Sequence, residues 1–146
     1  MAAQVFLGGA ANPTTWRTDT VIPALEEHGI SYCNPEVDEP WSPQLVQVEA
    51  VAKAAAEVLL FAITGETRGT ASMVEAAEYI GTGRTVVLMV QDIRDGLVLD
   101  GQVVTGRELL DLNRARAYLR DVAIRHHVII HSDIAAATRA ILDHFS

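Results

Sequence analysis

The run Val58-Leu59-Leu60-Phe61-Ala62-Ile63 (residues 58–63) is apolar at every position, which is typical of a strand covered on both faces in a parallel sheet. The segment 64–69 that follows is polar and carries two glycines, and residues 70–80 form an alanine-rich helical pattern. A second apolar, β-branched run occupies residues 85–90. This order of strand, loop, helix and strand predicts two parallel strands joined by a helical crossover.

The β-α alternation continues outward from this unit in both directions. On the N-terminal side we predict strands at residues 4–7 and 30–34, a helix that follows the first strand directly from Asn12-Pro13 to His28-Gly29, and a helix from Ser42-Pro43 to about residue 56. Pro23 lies inside the first helix, where it is expected to kink the helix or to shift its start. On the C-terminal side we predict a helix over 107–125, a strand over 128–130 and a last helix capped by Ser132-Asp133.

The segment 97–104 interrupts this alternation. Its Asp100-Gly101 dipeptide stands between two β-favouring triplets, which is a hairpin signal. So short a ribbon is also compatible with an extended loop, and the residues leave both structures open.

These elements together predict a single flavodoxin-like three-layer α/β domain over residues 1–146, with a five-stranded parallel sheet in the order 2-1-3-4-5. Ligands of such sheets bind beyond the carboxyl ends of the strands, where the strand order reverses. The reversal lies between strands one and three. The loops after Leu7 and Ile63 are therefore the predicted binding loops.

The net charge of −8 argues against nucleic acid polymers and anionic membranes as partners, because both are bound through an excess of Lys and Arg. A small neutral or locally clamped ligand fits this charge better. Cys33 is the single cysteine, which excludes an internal disulfide framework. No apolar run approaches the length of a membrane span, and the first residues do not resemble a secretory signal. We therefore expect a cytoplasmic protein.

Acidic residues near the two predicted binding loops are the first candidates for chemistry. Glu75 lies in the first half of the helix after the central strand, and small residues surround it: Ala71, Ser72, Ala76 and Ala77. Glu49, on the helix before the central strand, and Glu66, in the loop after it, are candidates for a second carboxyl group in the same cleft. Paired carboxylates are what glycosidic chemistry requires. Each of these acids alone is equally compatible with a helix-dipole or surface role.

A second group of candidates surrounds the first binding loop. Gly8, Gly9 and Asn12 would let a ligand approach backbone N–H groups, although a tight strand-to-helix turn explains them equally well. Neither a dinucleotide fingerprint nor a Walker lysine is present. Trp16 and Trp41 are expected either to stack on a heterocycle or to cover the rim of the core. Arg17 and Asp38 are expected to pair and to hold a loop. 

Other reactive residues do not form a recognisable site. His126, His127 and His131 are not spaced as metal ligands are, Cys33 is most simply a small core residue, and Ser72 lies outside a nucleophile elbow. No metal and no cofactor are expected.

Three stretches of the chain together resemble the nucleoside 2-deoxyribosyltransferase family, and in particular its nucleoside 2-deoxyribosyltransferase-like branch. They are residues 5–9 (Val-Phe-Leu-Gly-Gly), residues 56–61 (Ala-Glu-Val-Leu-Leu-Phe), and residues 69–75 (Gly-Thr-Ala-Ser-Met-Val-Glu) with the following 83–88. The resemblance implies a flavodoxin-like fold and cleavage or exchange of the N-glycosidic bond of a nucleoside or its 5′-monophosphate through a glutamate nucleophile.

The resemblance also assigns residues. It implies that Glu75 is the nucleophile and that Glu49 is the acid that contacts the nucleobase. This chain has Phe6 where many members have tyrosine, and Gly69 where they have a loop acid, with Glu66 as the nearest substitute. Because family sites are often completed by a neighbouring subunit, the resemblance further implies a homo-oligomer.

Two other functions stay open beside N-glycosidic cleavage. One is a nucleotide-sensing or interaction module that has kept the fold and lost catalysis. The other is a hydrolase of NAD or of a nucleotide sugar, which would use the same glutamate chemistry on a larger substrate.

Overall fold

A computed structural model describes residues 2–36 and 40–146. These described residues contain seven strands, of which five form the central sheet and two form a separate ribbon. The strands are β1 Val5–Gly8, β2 Tyr32–Cys33, β3 Val58–Ile63, β4 Val86–Val90, β5 Leu97–Leu99, β6 Gln102–Val104 and β7 Ile130–His131. The sheet is parallel throughout, in the order β2-β1-β3-β4-β7. The predicted flavodoxin-like topology is confirmed.

Within the described residues, five α-helices cover the sheet. They are α1 Ile22–Glu27, α2 Pro43–Ala55, α3 Thr70–Gly81, α4 Gly106–Arg125 and α5 Ile134–His144. α1 and α5 contribute to one apolar cluster and α3 and α4 to the other. The two clusters lie on opposite faces of the sheet, so the architecture is a three-layer sandwich. No helix in the described residues is both long enough and apolar enough to cross a membrane.

β3 is the central strand, and each of its residues is buried. Successive side chains of a strand point to opposite faces. Accordingly, Val58, Leu60 and Ala62 join the cluster of α1 and α5, whereas Leu59, Phe61 and Ile63 join the cluster of α3 and α4. Burial on both faces explains why the run is apolar at every position.

The first helix begins later than predicted. Residues 12–13 lie in a turn, in which the backbone N–H of Thr14 donates to the carbonyl of Ala11 over 2.9 Å. A π-helical turn over Arg17–Val21 follows and leads into α1. Pro23 lies in the first turn of α1, directly after this π-helical turn. The prediction that the strand turns directly into a helix was therefore wrong, and the predicted shift of the start is confirmed.

The segment 97–104 is a hairpin. β5 and β6 pair in antiparallel fashion, and Asp100 and Gly101 connect them with φ angles of 51° and 75°. Two consecutive positive φ angles are the conformation that an Asp-Gly hairpin turn requires. The hairpin alternative is confirmed.

The last strand begins two residues later than predicted. The N–H of Val128 donates to the carbonyl of Ala123 over 2.8 Å, so it still belongs to the end of α4. Pairing with β4 then starts at Ile130.

A buried arginine of α4 braces the loops at the carboxyl edge of the sheet. Arg116 is fully buried. Its guanidinium donates to the carbonyls of Thr64 at 3.0 Å and Thr67 at 2.8 Å, after β3, and to that of Gln91 at 2.8 Å, after β4. Burial lowers the pKa of Arg116 to about 10, so it stays charged near neutral pH. The loop that leads into α3 is therefore held in one conformation.

Candidate active site

A cleft of about 690 Å³ opens at the carboxyl edge of the sheet, beside β1 and β3. α2 forms one wall and α3 the other, and the rings of Phe6 and Phe61 contribute to its lining. This is the region where the strand order reverses between β1 and β3, as expected for the binding site of a doubly wound sheet.

α3 brings Glu75 to this cleft. The helix begins after Gly69, whose φ of 67° is one that glycine adopts without strain. Met73, Ala76 and Ile80 form the buried face of the helix. Glu75 lies beside that face, and its side chain is about one third exposed and lines the cleft.

Lys53 of α2 forms an ion pair with Glu75 across the cleft, with its Nζ donating to Oε2 of the carboxylate. Lys53 is only 5% exposed. Its ammonium lies 5.6 Å from the ring centre of Phe6 and 5.9 Å from that of Tyr79, distances at which an aromatic ring attracts a cation. The predicted nucleophile therefore has a buried cation in direct contact.

Burial lowers the pKa of Lys53, and the negative charges of Glu49 and Glu78 partly oppose this shift. The direction follows from desolvation, which disfavours the charged form of an amine. Lys53 consequently gives up its proton at a lower pH than an exposed lysine does.

Arg84 anchors the end of α2 that carries Lys53. Its Nη2 donates to the carbonyl of Lys53 at 2.8 Å and to that of Ala56 at 2.7 Å. The guanidinium also lies 5.6 Å from the ring centre of Tyr79, which stacks on Phe61. These contacts tie the C-terminal end of α2 to α3 and β3.

Glu49 lines the same cleft as Glu75. It precedes Lys53 by one helical turn, and residues at that spacing share a helix face. The two acids predicted from the sequence are thus on opposite walls of one cleft, with Lys53 on the wall of Glu49. Lys53, Glu78 and Tyr79 were missed by the sequence reasoning. One signal pointed to Lys53: it is the only lysine in the chain.

The turn at the end of β1, here called the β1 turn, contributes Gly8 and Gly9 to the cleft lining. At Gly9, φ is 137° and a Cβ would lie 2.6 Å from the carbonyl oxygen of Ala62. A side chain is therefore excluded at Gly9 by backbone packing alone. Asn12 lines a neighbouring cavity of about 290 Å³, and Trp41, which is 69% exposed, lines both spaces.

Arg17 holds the same turn by hydrogen bonds to its backbone. Its guanidinium donates to the carbonyl of Leu7 at 3.0 and 3.1 Å and to that of Gly9 at 2.7 Å, and it pairs with Glu36 over 3.5 Å. Burial lowers the pKa of Arg17 to about 10, against the opposing effect of Glu36. The predicted partner Asp38 lies outside the described residues.

Trp16 and Glu66 are not brought to the main cleft. Trp16 is 7% exposed and packs in the cluster of α1 and α5, where the guanidinium of Arg17 lies over its ring at 4.2 Å. A tryptophan in that position supports the turn instead of stacking on a ligand. Glu66 lines a separate cavity of about 290 Å³ beside β5. Gly69 and Ser72 do line the main cleft.

No cluster of His, Cys, Asp and Glu that could hold a metal ion occurs in residues 2–36 and 40–146. Cys33 is half-buried and packs against the cluster of α3 and α4. Burial raises the pKa of its thiol, which disfavours the reactive thiolate.

Comparisons with known proteins agree with this fold and place the chain in a family. The family model described as nucleoside 2-deoxyribosyltransferase like matches residues 2–93. No curated protein matches the chain. Among solved structures, the TIR domains of the activated Roq1 resistosome, which directly recognises the pathogen effector XopQ, match with a TM-score of 0.57 and 16% identity, over 99% of this chain and 100% of that chain. At that identity the similarity shows the fold alone.

Proposed function

The chain belongs to the nucleoside 2-deoxyribosyltransferase-like family, and on that premise we propose that it cleaves or exchanges the N-glycosidic bond of a nucleoside or nucleotide, with Glu75 as the nucleophile. One observation carries the proposal: Glu75 and Glu49 line the same cleft from opposite walls. Retaining glycoside chemistry needs two such carboxyl groups, one to attack the anomeric carbon and one to manage the proton of the leaving group.

The first step is attack by Glu75 on the anomeric carbon of the sugar. Lys53 occupies Oε2 of the carboxylate, so Oε1 is the attacking atom. The bond between Oε1 and the anomeric carbon forms while the bond to the base nitrogen breaks, and the electron pair of that bond leaves with the base. A covalent glycosyl ester results.

Glu49 supplies the proton that the departing base needs. In the second step its carboxylate takes a proton from the incoming water or acceptor base, whose oxygen or nitrogen attacks the anomeric carbon and releases Glu75. Two displacements at one carbon retain its configuration. Water gives hydrolysis, and a second base gives exchange.

The proposal is tested by chromatography of the purified protein with ribo- and deoxyribonucleosides, each with and without an added free base. Release of base supports hydrolysis, and appearance of a new nucleoside supports exchange. Tight binding of these compounds in a calorimeter without any product would instead favour the nucleotide-sensing module.

Replacement of Glu49 by glutamine is expected to slow base release from an ordinary purine nucleoside by about 10²-fold, because a general acid contributes roughly that much. The loss should be much smaller for a 7-methylpurine nucleoside, whose base is already cationic and leaves without a further proton. Rates for both substrates, measured side by side with wild-type protein, check this. An equal loss of rate on both substrates would show that Glu49 is not the proton donor.

A hydrolase of NAD or of a nucleotide sugar is the second candidate, and the size of the binding region favours it. The neighbouring cavity of about 290 Å³ is adjacent to the main cleft, and both are lined by Gly9, Pro35, Trp41 and Glu49. A ligand larger than a nucleoside has room there. Release of nicotinamide from NAD, measured by chromatography, would support this candidate.

We include a homo-oligomer in the proposal. Val48 and Val51 of α2 are exposed and, three residues apart, share one face of the helix; the exposed positions of this helix carry no charged side chain. In a chain with a net charge of −8, such a face is one where two copies can meet without repulsion. Light scattering should give a mass above 15.8 kDa, and a monomer mass would reject this part of the proposal.

A further inference from the structure

Acidic side chains outnumber basic ones in the lining of the main cleft. Glu49, Glu75 and Glu78 are acidic, and Lys53 is the only basic residue among the lining residues described. We infer that the cleft accepts uncharged nucleosides and disfavours ligands that carry a phosphate, and that Glu78 is a determinant of this selectivity. The inference deepens the proposed cleavage of nucleosides and rests on it, and it argues against the second candidate, whose substrates carry phosphates.

The single cation is not available to a phosphate. Lys53 is buried and its Nζ is paired with Glu75, so its charge is already compensated. Glu78 then leaves an uncompensated negative charge in the cleft, even while Glu49 carries the proton that it gives to the base. A phosphate brought near Glu78 loses Coulomb energy and gains no free ammonium in return.

Two arginines near the cleft are likewise engaged. Arg84 donates to the carbonyls of Lys53 and Ala56 at the end of α2. Arg17 is buried, donates to the carbonyls of the β1 turn and pairs with Glu36. Recruiting either guanidinium to a phosphate would break contacts that hold the walls of the cleft.

The N-terminus of α3 is a feature of the cleft that favours an anion. Gly69 and Ser72 line the cleft, and no side chain caps this end of the helix. A helix N-terminus acts as about half a positive charge. The full negative charge of Glu78 exceeds this, so the net charge of the cleft stays negative.

Glu78 is the residue that the chemistry itself does not need. It follows Glu75 by three residues, a spacing that puts both side chains on the same side of α3, and it lines the cleft. Its negative charge acts on Lys53, because it raises the pKa of that lysine against the effect of burial. It neither attacks the sugar nor protonates the base in the proposed mechanism.

The test compares one purine nucleoside with its 5′-monophosphate as substrates. We expect the wild-type protein to prefer the nucleoside in kcat/KM by about tenfold or more, and the preference to shrink as salt screens the cleft. The Glu78→Gln variant should lower the ratio of the two kcat/KM values by roughly fivefold, the effect of removing one charge from a doubly charged ligand nearby. Glu27→Gln, which removes an exposed acid of α1 that does not line the cleft, should leave the ratio unchanged.

A wild-type preference for the nucleotide overturns the inference, and so does a Glu78→Gln ratio equal to that of Glu27→Gln. Binding separates this failure from a failure of the proposed function. In the wild-type protein, where Lys53 stays paired with Glu75, calorimetry should show a C-nucleoside, which has no N-glycosidic bond to cleave, binding more tightly than its 5′-monophosphate. If only the nucleotide is turned over, the proposed function stands and the inference is wrong. If neither compound binds or is turned over, both the proposed function and the inference are wrong.

Discussion

Replacement of Glu75 by glutamine should lower the rate of base release by roughly 10³-fold or more, which corresponds to about 4 kcal/mol of lost transition-state stabilisation. The amide cannot form the glycosyl ester. It can still accept a hydrogen bond from Lys53 through its oxygen, so the walls of the cleft should keep their positions. The measurement is the single-turnover rate of base release at saturating nucleoside.

The control for this variant is Glu27→Gln, which removes the same charge from the exposed surface of α1. It should release base at the wild-type rate, and the melting temperatures of both variants should show that they are folded. Mass spectrometry of rapidly quenched wild-type protein should find the sugar attached to a peptide that contains Glu75. Base release at an undiminished rate by Glu75→Gln would exclude Glu75 as the nucleophile.

The fold followed from the sequence because its decisive element has a strong local signal. β3 is buried on both faces, so every position must be apolar, and no other structure of that length explains the run so simply. The start of α1 could not be predicted from the sequence. The turn at residues 12–13 and the π-helical turn before Pro23 depend on how the turn after β1 packs. Local cap signals cannot distinguish these arrangements.

Only part of the candidate site could be predicted from the sequence. Glu75 and Glu49 lie near the predicted switch point, so topology brings them to one cleft. Trp16 was ambiguous because an aromatic residue at a loop has the same local pattern whether it points into the core or into the cleft. Only tertiary packing buries it.

Lys53 was missed for a different reason. Its partner Glu75 is on another helix, and an ion pair between separate helices leaves no periodic signal. The sequence does hold a weaker one: this sole lysine of the chain stands in the alanine-rich stretch 50–56, one turn after Glu49. A charge kept in such surroundings indicates a partner for it within the fold.

Replacement of Lys53 by methionine should lower base release by about 10²-fold, although Lys53 takes no part in bond making. Without its ammonium, the carboxylate of Glu75 loses the ion pair that ties it to α2. Glu78 lines the same cleft, so its repulsion of Glu75 is no longer offset, and the attacking oxygen is not held in position. Methionine keeps the apolar stem between Phe6 and Tyr79, so the variant should fold, which circular dichroism and thermal melting can check.

The pH profile separates this electrostatic role of Lys53 from a merely structural one. Because burial lowers the pKa of Lys53, raising the pH should remove its proton, and the cation that holds Glu75, below the pH at which an exposed lysine titrates. We therefore expect wild-type kcat/KM to fall on the alkaline side. In Lys53→Arg the guanidinium stays charged over the same range, so the alkaline limb should move to higher pH. An alkaline limb at the same pH in wild type and Lys53→Arg would show that another group titrates there, and that the charge of Lys53 does not support the nucleophile.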